Sequence, residues 1–468
     1  MSQLLPDAAS EALDFNNIKR RAIASRSYRV KLAPSNGSTF SPTTNSVINL
    51  DLPSNLAGTY VDFTQCYLKF NVAVNASCNL DKCGAYGIIQ RMQCVTSGQQ
   101  IYDLNNYNVL MAALMDIDST DTYKANIGKV LVGTNSAGSL GEYVPTGGRT
   151  FCLPFVLHPF AMQKRLVPLF SLDSIRFRLT LESAVTAFVG TQASYTVSDV
   201  ELCCYFTELS PSAQAQIDAM TGGVYNILAP SYMNIQQTMG SVTSATVTLG
   251  VAVSSLERIL VIHRNTSCVD AAKQTLGARI TNGLQTLQFF INSEAYPMRP
   301  LEIGNAGAEM LAEMLISDHA LSDFGKGSHI NSQLYVSTLT IRGTADGGVL
   351  VNPSEAVYSY LNIPATGNVS NCWFQGLGDG STLSAAAAAG QVSLAGSFIA
   401  AVELESGVSA GKSDRIYSGI STMSSVVQYK GTYTGGASTV NANIDFFCHY
   451  TILLTLNMRA MGVWTVSV

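Results

Sequence analysis

Hydrophobic and polar residues alternate along much of this chain with the two-residue period of a half-buried strand. Val47-Ile48-Asn49-Leu50-Asp51-Leu52 alternates, Thr59 to Val74 (TYVDFTQCYLKFNVAV) alternates around a Tyr-, Phe- and Val-rich core, and Ser174 to Glu182 (SIRFRLTLE) alternates strictly. Successive strand side chains point to opposite faces, so such runs set one face against a core. Residues 88–102 (IIQRMQCVTSGQQIY) read as strand, polar turn at Ser97-Gly98, and strand, while Phe151 to Leu157 and Val197 to Leu209 predict two more strands. Helical stretches are short. Asn108 to Met115 is one; Pro211 to Gly223 begins on Ser210-Pro211 and stops on Gly-Gly. Residues 119–150, rich in Gly, Thr and Ser, predict a long loop.

The second half repeats this grammar. Ser244 to Val253 alternates, Leu256 to Arg264 is a strand, and Leu287 to Met298 is a strand, a turn at Asn292-Ser293-Glu294, and an extended segment ended by Pro297 and Pro300. A short helix follows at Ala306 to Ile316, where Asn108 to Met115 stands in the first half. Aligning Val95 with Ile291 and Met111 with Met310 gives offsets of 196 and 199 residues. Each half closes on an apolar strand, DVELCCYFTEL and HYTILLTLNM. The expected fold is all-β: two tandem eight-stranded jelly-roll β-sandwiches with a few short helices and an N-terminal arm. The expected boundaries are an arm at 1–45, a first jelly roll at 46–210, a helical linker at 211–223 and a second jelly roll at 224–468.

Composition narrows the setting. Only 13% of the residues are charged, against about 25% in average chains. Ser, Thr, Asn, Gln and Gly must cover the surface, which suits a protein whose surface is spent on copies of itself, because charge is costly in interface centres. The net charge of −5 gives no overall attraction to nucleic acid. The start MSQLLPDAASEALDF has no basic segment followed by an apolar one, so a secretory leader is not expected, and the ten cysteines are expected as reduced thiols. Ser384 to Val402 reads as loop plus strand rather than a membrane span.

Candidate chemistry is sparse. No phosphate loop of the G-x-x-x-x-G-K-[ST] kind is present. The histidines His158, His263, His319, His329 and His449 form no H-x-H or H-E-x-x-H, and are expected to make local hydrogen bonds. Cys78-x4-Cys83 is a single pair, where zinc needs four ligands. Asp116-Ile-Asp118-Ser-Thr-Asp121 resembles the start of a calcium loop but lacks the following Gly and the bidentate Glu; its plainer reading is the wet end of a helix. No catalytic residue, metal or cofactor is expected. Lys19, Arg20, Arg21, Arg26, Arg29 and Lys31 form one basic cluster without an acid. It reads either as an interior-facing arm touching genome, inner membrane or a neighbouring subunit, or as a solvated terminal helix at Asp7 to Ile23 paired with Asp7, Glu11 and Asp14.

Four stretches together resemble a known family: NSVINLDLPSN…TYVDFTQCYLKFNVAV, IIQRMQCVTSGQQIYDLNNYNVLMAALMD, FCLPFVLHPF…KRLVPLFSLDSIRFRLTLE, and SSLERILVIHRN…LQFFINSEAYPMRPLE. The chain resembles the double jelly-roll major capsid proteins of tailless icosahedral DNA viruses, the lineage of polinton-like viruses, virophages and nucleocytoplasmic large DNA viruses. The resemblance implies homotrimers of pseudo-hexameric outline that tile an icosahedral virion with neighbouring capsomers, pentons and minor capsid proteins. It implies assembly in host cytoplasm or nucleus, no small-molecule substrate, and no catalytic residues. The loops at 119–150 and 365–392 would form outer towers or trimer contacts. Two other readings remain at this point: a shell or fibre protein with a single jelly roll plus a projecting domain, and a carbohydrate-binding or hydrolytic β-sandwich, for which Trp373 and Trp464 are the only tryptophans.

Overall fold

A computed structural model describes residues 25–468 except 77, 97–98, 136–140, 190–193, 241, 266–275, 277, 305–306, 322–329, 331–334, 336–373, 376–392, 395, 406–418, 435–441 and 459–461. Eight strands form the framework of the first half, with strands of two or three residues beside them: β1 (Ser25–Leu32), β2 (Val47–Asp51), β3 (Thr59–Val74), β4 (Ile89–Val95), β5 (Gln100–Leu104), β6 (Arg149–Pro154), β7 (Arg176–Leu181) and β8 (Tyr195–Leu209). They pair as β1-β8-β3-β6 in one sheet and β2-β7-β4-β5 in the other. The second half has β9 (Val224–Met239), β10 (Ser244–Leu249), β11 (Leu256–Asn265), β12 (Leu284–Ile291), β13 (Glu294–Glu302), β14 (Ala400–Glu403), β15 (Val427–Tyr433) and β16 (Ala442–Asn457). Its sheets run β9-β16-β11-β14 and β10-β15-β12-β13. Each order is the first half's with eight added, so both halves are jelly rolls of one topology. A final strand, β17 (Val463–Ser467), pairs with β16.

Register explains the alternation. In the first sandwich Leu50 faces Phe177, Phe177 faces Cys94, and Cys94 faces Tyr102, all buried. One residue along, Asp51 faces Arg176 on the outer surface, and the two form a bidentate ion pair. Helix α1 (Tyr107–Asp118) follows β5, two short helices α2 (Asp121–Ala125) and α3 (Ile127–Leu131) come next, α4 (Pro211–Thr221) joins the halves, and α5 (Ala308–Ser317) follows β13 as α1 follows β5. Helix α4 starts as the sequence dictates: the Ser210 hydroxyl accepts from the Ala213 N–H, Pro211 opens the first turn, and Gly222 stops it at φ 65°.

Three expectations are corrected and one alternative is closed. The chain from Ser25 is not an arm: residues 25–32 pair along their whole length with β8 and supply the first strand of the first jelly roll. Tyr28, Val30 and Leu32 pack against the core, and the alternation between them was hidden by basic residues. The segment 119–150 is not a bare loop; it holds α2, α3 and a two-residue strand at Tyr143–Val144. Strand β13 runs through Pro297 and Pro300 to Glu302, which its edge position permits, since an edge strand need not donate on its outer side. The single-jelly-roll reading is excluded by the second sandwich. The turn at Ser97-Gly98 and the helix at Asp7 to Ile23 lie outside the described residues, as does 365–392 apart from Phe374–Gln375.

The first sandwich's core extends across the seam onto one face of the second sandwich's inner sheet, whose other face covers a second core. In β16, Phe446 and Cys448 belong to the second sandwich's core, while Phe447 between them faces the first sandwich. In β11, Ile259 and Val261 point one way, and Leu260 and Ile262 the other. A strand buried on both faces reads as an unbroken apolar run, which accounts for the stretches RILVI and DFFC. The sheet β9-β16-β11-β14 is therefore the partition between the halves.

Candidate functional site

The seam between the sandwiches is where residues from distant parts of the chain converge. Its apolar part includes Phe160 against Trp464, with ring centroids 5.5 Å apart, and Phe170 against Tyr225 at 5.2 Å, both edge-on. Its polar part is held by Asn106, which caps α1 in the left-handed region at φ 51° and donates 2.8 Å to the Asp445 carboxylate of β16. Arg264 of β11 completes that carboxylate at 2.7 Å. Arg165, in the segment after β6, donates to the Asn226 carbonyl of β9 at 2.6 Å.

Asp116 is the electrostatic centre of the seam. It lies in the last turns of α1, fully buried, and meets Lys124 at 2.8 Å, Lys82 at 2.9 Å, and Arg279 from the second half. Burial alone would raise its pKa, but Lys124, Lys82 and Arg279 override that and hold the carboxyl well below its usual range. Burial pushes Lys82 down to about 8 against the pull of Asp116. A carboxylate already met by three cations is not a calcium ligand, so the calcium-loop reading of Asp116 to Asp121 fails, as does the wet helix end. The cations come from segments remote from the motif, and sequence spacing could not place them.

The basic cluster divides. Lys19, Arg20 and Arg21 lie outside the described residues. Arg26, Arg29 and Lys31 are exposed on β1: Arg26 pairs with Glu208 at 2.6 Å and covers the Tyr28 ring, Arg29 sits over the Tyr67 ring, and Lys31 meets Glu201 at 2.9 Å. These three belong to an edge strand, Arg26 on one face and Arg29 and Lys31 on the other, and Glu208 and Glu201 of β8 partly neutralise them.

His158 lies within a cage of Phe63, Phe155 and Phe177, and burial pushes its pKa down to about 3. His263 is also buried, faces the Tyr433 hydroxyl at 3.0 Å and is pushed to about 3. His329 lies outside the described residues. The eight described cysteines are free thiols, all buried except the half-buried Cys152; Cys268 and Cys372 are not described. Trp464 is buried at the seam, where no sugar ring can stack on it; Trp373 is not described.

A cavity of about 510 Å³ opens where the segment Met162 to Arg165 of the first half faces the ends of α5, β11 and β14. Its charged lining is paired in places: Arg258 binds Asp318 at 2.8 Å and the Tyr232 hydroxyl at 2.6 Å, and Glu257 binds His449 at 2.9 Å. His319, just past α5, and Glu403 and Glu405, at the end of β14, bring one ligand atom each within 4.8 Å of one another. Burial pushes the Glu403 carboxyl up to about 7, against the N–H groups of Glu405 and Leu404 that it accepts. Sequence reading passed over this group because positions 319 and 403 are brought together only by the sandwich.

No family model and no curated protein matches the chain. Solved structures do. The crystal structure of PBCV-1 VP54, fitted into a reconstruction of the virophage Sputnik, superposes with a TM-score of 0.57 at 9% identity, over 97% of this chain and 99% of that one. A chain of the Sputnik virophage structure gives a TM-score of 0.53 at 11% identity, covering 100% and 93%. The Faustovirus major capsid protein gives 0.51 at 10% identity, covering 94% and 92%. Together with the repeated strand order, these likenesses over nearly the full length show that the chain has the double jelly-roll fold.

Proposed function

We propose that this chain is a structural subunit of an icosahedral virus shell, working as a homotrimer and not as an enzyme. The observation that carries this reading is the exact repetition of one strand order in two sandwiches packed side by side. Three such chains around an axis offer six similar wedges, a pseudo-hexamer able to tile a closed surface. The solved structures that match over nearly their whole length include a major capsid protein, and the low share of charged residues suits a surface spent on self-contact. In this reading the protein resides in the virion. Its partners are copies of itself, neighbouring capsomers, a penton and minor capsid proteins. Lys19, Arg20, Arg21, Arg26, Arg29 and Lys31 would lie toward the interior, in contact with genome, an inner membrane or an adjacent subunit.

The test is the mass and shape of the purified full chain. Three chains of 49.8 kDa give particles of about 150 kDa, which negative-stain images should show with a hexagonal outline. A stable monomer at micromolar concentration would overturn the proposal.

A further inference from the structure

We propose that His319, Glu403 and Glu405 form a binding site for one divalent cation, of the Mn²⁺ or Zn²⁺ class, in the cavity beside the seam. This goes beyond the shell reading and does not depend on it. The donor set is an imidazole and two carboxylates, which suits cations of intermediate hardness.

The geometry is close to what such an ion needs. Ligand atoms about 2.1 Å from a tetrahedral metal stand roughly 3.4 Å apart. His319 Nε2 and Glu405 Oε2 are 3.6 Å apart, and all three ligand atoms fall within 4.8 Å. Rotation of His319 and Glu405 toward the fixed Glu403 carboxyl would close that gap. Glu403 supplies the second observation: its Oε1 accepts the N–H groups of Leu404 and Glu405, which fixes the carboxyl, while its Oε2 is shut off from solvent and has no hydrogen-bond partner among the described residues. A buried carboxylate oxygen without a donor is costly unless a cation or proton meets it. The nearby positive charge does not meet it directly: Arg258 is committed to Asp318, the Ser317 carbonyl and Tyr232. The remaining charged groups that line the cavity are Lys164, Arg165, Glu257 and His449, and the last two pair with each other.

The ligands come from two elements. His319 follows α5, Glu403 ends β14, and Glu405 lies two residues past it. A bound ion would fasten the helix to the strand, opposite the first sandwich's segment Met162 to Arg165.

The experiment is calorimetric titration of the full chain with MnCl₂ and with ZnCl₂, repeated on E403Q and H319A, with Mn²⁺ electron paramagnetic resonance as a second readout. Both variants change groups near the cavity surface, and circular dichroism with electron micrographs confirms that each is folded. The expected result is one saturable ion per chain, weakened at least tenfold in each variant, and a melting temperature raised by the ion in the wild type alone. Three results overturn the site: no saturable binding, binding that neither variant weakens, or weakening in E403Q with none in H319A. Ions held only by thiols fall in the second case, since neither variant touches a cysteine.

Discussion

Asp116 of the first sandwich and Arg279 of the second form an ion pair with both side chains fully buried. Lys82 and Lys124, on the same carboxylate, make Asp116 the common counter-ion of three cations. Breaking a buried pair by removing one partner is far more damaging than its net contribution, because the other charge stays buried and uncompensated. D116N should therefore lower the unfolding free energy by about 3–5 kcal/mol. Adding R279M should recover part of the loss, since one stranded cation goes with it. Urea unfolding of the two variants decides; an unchanged midpoint for D116N would mean that the carboxylate does not balance the cluster.

Acid should weaken the fold through His158 and His263. Both have a folded pKa of about 3 against an ordinary value of 6.5. A depressed pKa gives stability that is complete above pH 6.5 and drains away as pH falls toward 3. Between pH 6.5 and pH 5 the loss is about 2 kcal/mol for each histidine. H158F keeps a flat ring among Phe63, Phe155 and Phe177 but cannot take a proton, so its stability should fall less steeply over that range. Equal slopes for H158F and wild type would remove His158 from the account.

Gly84 has φ of +66°, and a Cβ there would stand 2.5 Å from the Val132 carbonyl oxygen. Its N–H donates to the Asp81 carbonyl, and the next N–H, of Ala85, donates to Val132. The turn that leads into β4 is thus locked to the end of α3. G84A meets both backbone strain and a backbone clash. It should cost about 2–4 kcal/mol, readable as a drop in melting temperature. A melting temperature equal to wild type would show that the turn relaxes freely.

A chain starting at Ala33 would lack β1. Strand β8 would lose its partner along eight residues, and the apolar surface under Tyr28, Val30 and Leu32 would be uncovered. An unpaired edge beside exposed apolar surface invites edge-to-edge association. The truncated protein should partition into the insoluble fraction, whereas R26A/R29A/K31A, which keeps the strand, should stay soluble and folded. Soluble, monodisperse truncated protein would return 25–32 to the status of an arm.

The architecture was legible where alternation was strong. The strict pattern of Arg176 to Leu181 and the offset between Val95 and Ile291, each the last residue of its strand, identified two copies of one sandwich. Strand β1 was misread because charge density outweighed a weak alternation, and β13 was cut short because proline rules differ at a sheet edge. The seam was beyond reach for a different reason. Asp116, Lys82, Lys124 and Arg279 carry no spacing rule; the fold itself makes them neighbours, and the same holds for His319 and Glu403. Buried polar groups are chosen by their three-dimensional partners, which one-dimensional periodicity does not encode.

Strand β16 divides its side chains between two cores, and that sets an order in time. Phe447 covers the first sandwich, yet it lies near the C-terminal end of the sequence. While the chain is being made, the first half must wait with part of its apolar wall open until residues 442–457 have left the ribosome. The finished protein is thus expected to unfold as one cooperative unit, and a nascent first half is a natural client for chaperones.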